Sequence, residues 1–246
     1  MKITLPVDIE SQPSDSSCGP TCLQAIYGYW GHQVSVAEII AQIPQLETGG
    51  TLAVQLACHA LQQGFEATIV TFNLRLFDPT WFGQPGVDLS EKLRSQLDQN
   101  GARSQRFRLA TSHYLQFLSL GGCIQMRRLD RPMVHECLRS DVPILTGLSA
   151  TFLYQESRER SQPPDSLGVT CLPDDLGGSP VGHFVVLSGY DAEADRLQVS
   201  DPLHPNPNSK WQDRQYWATF DHVSASIYLG IVTYDANLLV IKPAAK

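Results

Sequence analysis

A cysteine opens the run Cys18-Gly19-Pro20-Thr21-Cys22, directly ahead of apolar residues Leu23, Ile26, Tyr27 and Trp30 that recur at helical spacing. A thiol at the start of a helix lies in the positive end of the helix dipole, which favours thiolate and hence nucleophilic attack. Gly19 lets another part of the chain come close, and Pro20 suits the first turn, where its missing N–H costs nothing. Six residues upstream, in the polar segment Ser11 to Ser17, Gln12 is placed to donate its side-chain amide to an oxyanion, with the Cys18 backbone N–H as the second donor. A lone loop glutamine is ordinarily solvated; its weight here comes from its partners.

The base expected is His183, which begins the strand-like run His183-Phe184-Val185-Val186-Leu187-Ser188-Gly189-Tyr190. Alternation puts His183, Val185 and Leu187 on one face, where a histidine is usually just a satisfied core residue. The hairpin that follows changes its standing. With Asp191 to Asp195 as the turn, Tyr190 faces Arg196 and Val185 faces Asp201, so Asp201 is a diagonal neighbour of His183 on the same face. Asp191 lies eight residues up the strand, roughly 26 Å away, too far to orient the ring. A thiol deprotonated by imidazole attacks an amide carbonyl, the imidazolium then protonates the leaving amine, and the carboxylate fixes the ring's tautomer and steadies its charge.

At these residues the sequence resembles family 39 of the cysteine peptidases, the bacteriocin-processing peptidases and their standalone relatives in the papain-like superfamily. The resemblance lies in Gln12 with Cys18-Gly19-Pro20, in His183 to Val186 with Gly189-Tyr190-Asp191, in Asp201-Pro202, and more loosely in residues 31 to 70. It implies a papain-like α+β fold with Cys18 as nucleophile, Gln12 as oxyanion donor, His183 as base and Asp201 as its orienting acid. The separation of Cys18 from His183 exceeds that of the compact leader peptidases, and no exporter region follows, so cleavage of double-glycine leaders does not carry over. The expected reaction is hydrolysis of a peptide or isopeptide amide through a thioester. Two other readings stay open: transfer of the acyl group to an amine, and a catalytically silent peptide-binding module.

The elements that must position these residues read as helices first and sheet later, hence α+β. Helices are expected over residues 18–30, from the Ser35/Glu38 capping box to Pro44, from Thr51 to Gly64, over 88–99, and at 112–120 and 132–140. Strands are expected at 65–72, 143–148, 183–190, 196–200, 227–234 and 237–241. Residues 155–182, with prolines at 163, 164, 173 and 180, read as one long irregular loop. The whole chain is expected to form one domain, helical to about residue 140 and sheet-rich beyond.

Composition bounds the rest. With 246 residues, 42% hydrophobic and 17% charged, the chain can bury a sizeable core. Its net charge of -7 and pI near 5.4 argue against nucleic acid or an anionic membrane as partner. No apolar run is long enough to span a membrane, and the first ten residues lack the basic start and apolar core of a signal, so a soluble cytoplasmic chain with a peptide or protein substrate is expected. Zinc-type and nucleotide-type motifs are absent, and no cofactor or metal is expected. Cys22 reads as core packing, with a second reactive thiol as its rival; Cys58, Cys123, Cys137 and Cys171 read as buried thiols. Trp211, Tyr216 and Trp217 read as packing or as a subsite wall beside Asp201, and Arg103, Arg106, Arg108, Arg127 and Arg128 as solvated surface.

Overall fold

A computed structural model describes residues 2–46, 49–83, 85–99, 104–163, 170–209, 214–233 and 235–244. The nucleophile helix expected at 18–30 is α1 (Cys18–Tyr29), followed by α2 (Val36–Gln42) and α3 (Ala53–Gln62). Ser35 begins α2 with the capping box the sequence announced: its side chain accepts from Glu38 N, and the Glu38 carboxylate accepts from Ser35 N at 2.8 Å. The start of α3 falls two residues later than Thr51, and a distant residue caps it, for Asp235 Oδ1 accepts from Ala53 N at 2.8 Å. Further along come α4 (Leu89–Gln99), α5 (Gln105–Ser119) and α6 (Arg131–Arg139). Helix α5 begins seven residues before the expected 112, because Ser104 caps it by accepting from Phe107 N.

An eight-stranded sheet receives these helices. Its strands are β1 (Lys2–Thr4), β2 (Phe65–Thr71), β3 (Cys123–Gln125), β4 (Ile144–Ser149), β7 (Gly182–Asp191), β8 (Arg196–Ser200), β9 (Gln215–Thr219) and β10 (Asn237–Pro243), and pairing is antiparallel except between β2 and β3. The order is β3-β2-β10-β4-β7-β8-β9, with β1 on β7 beyond the end of β4. Strands β1, β3 and β9 carry no strong alternation and went unforeseen; β1 and β3 are three residues each. The mixed order of helix and antiparallel sheet is the α+β class expected.

Two expectations fail. Of the strand expected at 227–234, residue 234 lies outside the described residues and the rest form no strand: α8 (Phe220–Leu229) ends in them and continues as a 3-10 turn, Gly230–Thr233. The apolar run there fits either period, and the helix prevails because Thr219 caps it and Phe220, Val223, Ser224 and Ile227 are buried at i, i+3, i+4 and i+7. Residues 155–182 are not one irregular loop either. After the short helix α7 (Ala150–Tyr154), β5 (Glu159–Ser161) and β6 (Cys171–Pro173) pair as a separate two-stranded ribbon, closed at its base by a bridge between Glu159 and Ser179.

The core is a single cluster that runs from Leu5 to Ile241, with α1 packed against β7 where Gly19 and Cys22 meet Phe184. Among the described residues no helix is long and apolar enough to cross a membrane.

Candidate active site

Cys18 is the first residue of α1, and a tight turn ahead of it sets its position. Buried Ser17 closes that turn twice, accepting from Ser14 N at 2.9 Å and donating to Ser14 O at 2.7 Å, while its carbonyl receives the Thr21 N–H and hydroxyl. Gly19 is required by close packing: a Cβ there would lie 2.5 Å from Thr51 Oγ1 and 3.2 Å from both Leu56 Cδ1 and Phe184 Cδ2. Through that contact the start of α1 rests on the start of α3 and on β7.

His183 stands near the start of β7, an interior strand of the sheet, opposite Leu148 of β4 and on the side of β7 that carries the end of β8. The turn of the β7–β8 hairpin is one residue tighter than expected, with Asp191 opposite Arg196 and Tyr190 opposite Leu197. A bulge between Leu187 and Gly189 takes up the difference, so Leu187 faces Val199 and Val186 faces Ser200. Continued by one residue, that register sets Asp201 beside Val185, as the sequence argument required. Gly189, beside the bulge, lets β1 and Gln198 come close, since a Cβ there would lie 2.7 Å from Ile3 O and 2.8 Å from Gln198 Oε1.

The three groups therefore meet. His183 Nε2 donates to Asp201 Oδ1 at 2.8 Å, and Cys18 lies near enough to the ring for its charge to act on it. Cys18 is 8% exposed, His183 7% and Asp201 0%. Burial works against a charged imidazole, but the charge of Asp201, then that of Cys18, and hydrogen bonds to both outweigh it and hold the ring up at about 10. Burial likewise works against the Asp201 carboxylate, and the His183 charge, with hydrogen bonds from His183, Leu203 N and Tyr154, holds it below the usual range. Every lone-pair direction of Asp201 is engaged: Oδ1 accepts from His183 Nε2 and from Leu203 N at 3.0 Å, and Oδ2 accepts from the hydroxyls of Tyr154 at 2.8 Å and Tyr216 at 2.9 Å.

Gln12 lies half-buried beside this group. Its backbone N–H donates to Pro202 O at 2.9 Å, its amide Nε2 donates to Ser14 O at 3.1 Å, and its Oε1 is buried without a partner. The first residue of β9 and the one before it hold the approach to it: Gln215 Nε2 donates to Val7 O at 2.8 Å and Arg214 Nε donates to Ile9 O.

Other singled-out residues sort themselves by contact. Cys22 is wholly buried with its thiol donating to Phe184 O at 3.2 Å, and burial, then Cys18 and Asp201, push that thiol well up. All six cysteines are free; Cys58 is buried, whereas Cys123 is exposed and Cys137 and Cys171 half-buried, against the expectation of burial for all four. Arg106 is not simply solvated, since its guanidinium donates to Thr233 O at 2.7 Å. Trp217 lies under Lys2 with the ammonium 4.4 Å from its ring, and Trp211 and Arg103 fall outside the described residues. Tyr154 gave no signal in the sequence, because one aromatic in a five-residue helix has no motif and no period to place it. Among the described residues no cluster of histidine, cysteine and carboxylate side chains has metal-binding geometry.

Two family models match the chain, the Peptidase C39 family over residues 7–82 and the Peptidase C39-like family over 125–229. The chain belongs to the C39-like cysteine peptidases. One model takes in Gln12 and Cys18 and the other His183 and Asp201, so the C39-like match brackets both halves of the site. Among solved structures, this peptidase is similar to a C39-like peptidase from Bacillus anthracis (14% identity, TM-score 0.48, all of both chains). It is also similar to xylellain, a cysteine protease from Xylella fastidiosa (16%, 0.44, 99% of this chain and 86% of that one), and to the peptidase domain of Streptococcus ComA (11%, 0.44, 97% and 99%). Among curated proteins none matches.

Proposed function

We propose that this C39-like peptidase hydrolyses a peptide or isopeptide amide through a thioester on Cys18, with His183 as base, Asp201 as its orienting acid and Gln12 as oxyanion donor. The observation that carries the reading is the position of His183 between Cys18, the first residue of a helix, and Asp201, to which it is hydrogen bonded at 2.8 Å.

With the ring charged, the thiol proton already rests on His183, and the Cys18 thiolate attacks the carbonyl carbon. The oxyanion is received by the Cys18 N–H, one of the amides that a helix leaves unpartnered at its start, and by the second hydrogen of Gln12 Nε2, whose first is held by Ser14 O. Collapse of the tetrahedral species expels the amine, which takes the proton from the imidazolium. Water then attacks the thioester with the neutral ring as base, releasing the acid and restoring the thiol. Asp201 stays ionised throughout and keeps Nε2 protonated.

Iodoacetamide labelling followed by peptide mapping tests this. Cys18 is expected to react far faster near neutral pH than the other five thiols, and His183→Ala to remove most of the difference. Equal rates across the six cysteines would sink the reading. An Asp201→Ala enzyme trapped as acyl-enzyme and read by intact mass checks the thioester, and faster decay on adding an amine would mark transfer rather than hydrolysis.

A further inference from the structure

We propose that Tyr154 and Tyr216 are positioning residues that keep the proton of the His183–Asp201 hydrogen bond on the histidine and thereby hold the imidazolium beside Cys18 at low pH. The inference rests on the roles proposed above for Cys18, His183 and Asp201.

Asp201 is wholly buried, and a carboxylate taken out of water gains proton affinity. With Oδ1 facing an imidazolium at 2.8 Å, a sufficiently basic carboxylate would draw the proton across and leave two neutral groups. The basicity of Asp201 therefore decides whether His183 is charged. Leu203 N weakens Oδ1 as a base, but among the described residues Oδ2 has no backbone donor, and its partners there are the two phenols. Tyr154 and Tyr216 each donate to Oδ2, at 2.8 and 2.9 Å, and a carboxylate so loaded is a poor base. The phenols remain donors, because burial and then the charge of Asp201 push both well above the usual tyrosine range.

The arrangement also fixes direction. Tyr154 ends α7, ahead of the β5–β6 ribbon, and Tyr216 is second in β9, so Oδ2 is held from two separate parts of the chain while Oδ1 is left to His183. The Tyr154 and His183 rings lie 6.0 Å apart and tilted, which confines the imidazole plane. Among the described residues, the ionisable side chains facing the pair are Cys18 and Cys22 from α1, Tyr154 from α7 and Tyr216 from β9. Arg214 meets Asp201 only through its carbonyl, which accepts from Asp201 N at 2.8 Å, and its guanidinium is turned to Ile9 O.

The test is the pH profile of Cys18 alkylation by iodoacetamide in the full chain, in the wild type, Tyr154→Phe, Tyr216→Phe and the double variant, from about pH 4 to about pH 9. Each single change is expected to move the acid limb up by about half a pH unit and the double by about one or more, with the plateau rate within about twofold. A limb that stays in place, even with a lower melting temperature or a uniformly slower rate, makes the tyrosines merely structural and overturns the proposal. A variant-free measurement guards against misfolding: 15N shifts of wild-type His183 are expected to be those of a ring protonated at both nitrogens across the acid range, and neutral-ring shifts there overturn it. If wild-type Cys18 labels no faster than the other thiols, the proposed catalytic set fails and the tyrosine roles with it. Fast labelling that depends on His183 but has a limb insensitive to the tyrosines removes this inference alone.

Discussion

The backbone N–H of Gln12 donates to the carbonyl of Pro202 at 2.9 Å, one residue past Asp201. The segment that leads into Cys18 is thereby pinned to the turn that carries the acid, so the two halves of the site share a main-chain link as well as the His183 bridge. Because that link is made by the backbone, Gln12→Ala is expected to leave it intact and remove only the amide. The predicted loss in kcat/KM is about 100-fold or more, the usual effect of deleting an oxyanion donor, with the rate of Cys18 alkylation unchanged. Alkylation forms no oxyanion, so a parallel fall in both rates would mean that Gln12 acts on the thiol instead.

Gly19→Ala is expected to destabilise the fold by about 1–3 kcal/mol, since the new methyl would lie 2.5 Å from Thr51 Oγ1. Thr51 Oγ1 is buried and makes no hydrogen bond, so Thr51→Ala alone is expected to cost little, and the double variant to recover much of the loss. Urea unfolding of the four proteins in this cycle measures the coupling. Additive effects would show that Leu56 and Phe184, not Thr51, are what exclude a side chain.

Much of the site was legible because its parts sit on local signals: a Cys-Gly-Pro run at a helix start, and a strand whose alternation could be counted across a turn. The hairpin count reached the right partner for Val185 through two compensating departures, a tighter turn and the bulge before Gly189, which no alternation pattern reveals. What stayed illegible depends on distant chain. Tyr154 reaches Asp201 across 47 residues, and Asp235 caps α3 from 182 residues away. The run at 227–234 went wrong for another reason: apolar residues in a row carry no period, and the Thr219 cap that decides for helix lies well upstream.

Asp235 is the second buried carboxyl at this end of the sheet, and it behaves opposite to Asp201. Burial pushes it up to about 7, against the pull of the Ala53 N–H, the Arg106 charge and the Asn237 side chain. A raised carboxyl holds its proton in the folded state after the unfolded chain has released it, so its contribution is complete below about pH 4 and is lost as pH rises through about 7. Asp235→Asn keeps an oxygen for Ala53 N and abolishes the titration. Relative to this variant, the wild type is expected to lose on the order of 2–4 kcal/mol between about pH 4 and pH 8. Calorimetric melting at a series of pH values checks the slope, and parallel curves for the two proteins would rule the effect out.

For the His183–Asp201 pair the signs combine differently. The ring is held up at about 10, so its contribution is complete below about pH 6.5 and disappears as pH rises toward 10. Asp201 is held down, so its contribution is complete above about pH 4 and disappears as pH falls through its lowered value. Both are present together between about pH 4 and pH 6.5. Asp201→Asn leaves His183 without its charge partner, a loss of about 3 kcal/mol in that window, typical of breaking a buried pair. The gap between wild type and variant is expected to narrow steadily above about pH 7, because the unfolded chain has then released its histidine proton and folding of the wild type must take one up again. Chemical denaturation at about pH 5.5 and pH 9 measures the two ends, and a gap that widens toward pH 9 would mean that the ring is neutral in the folded state.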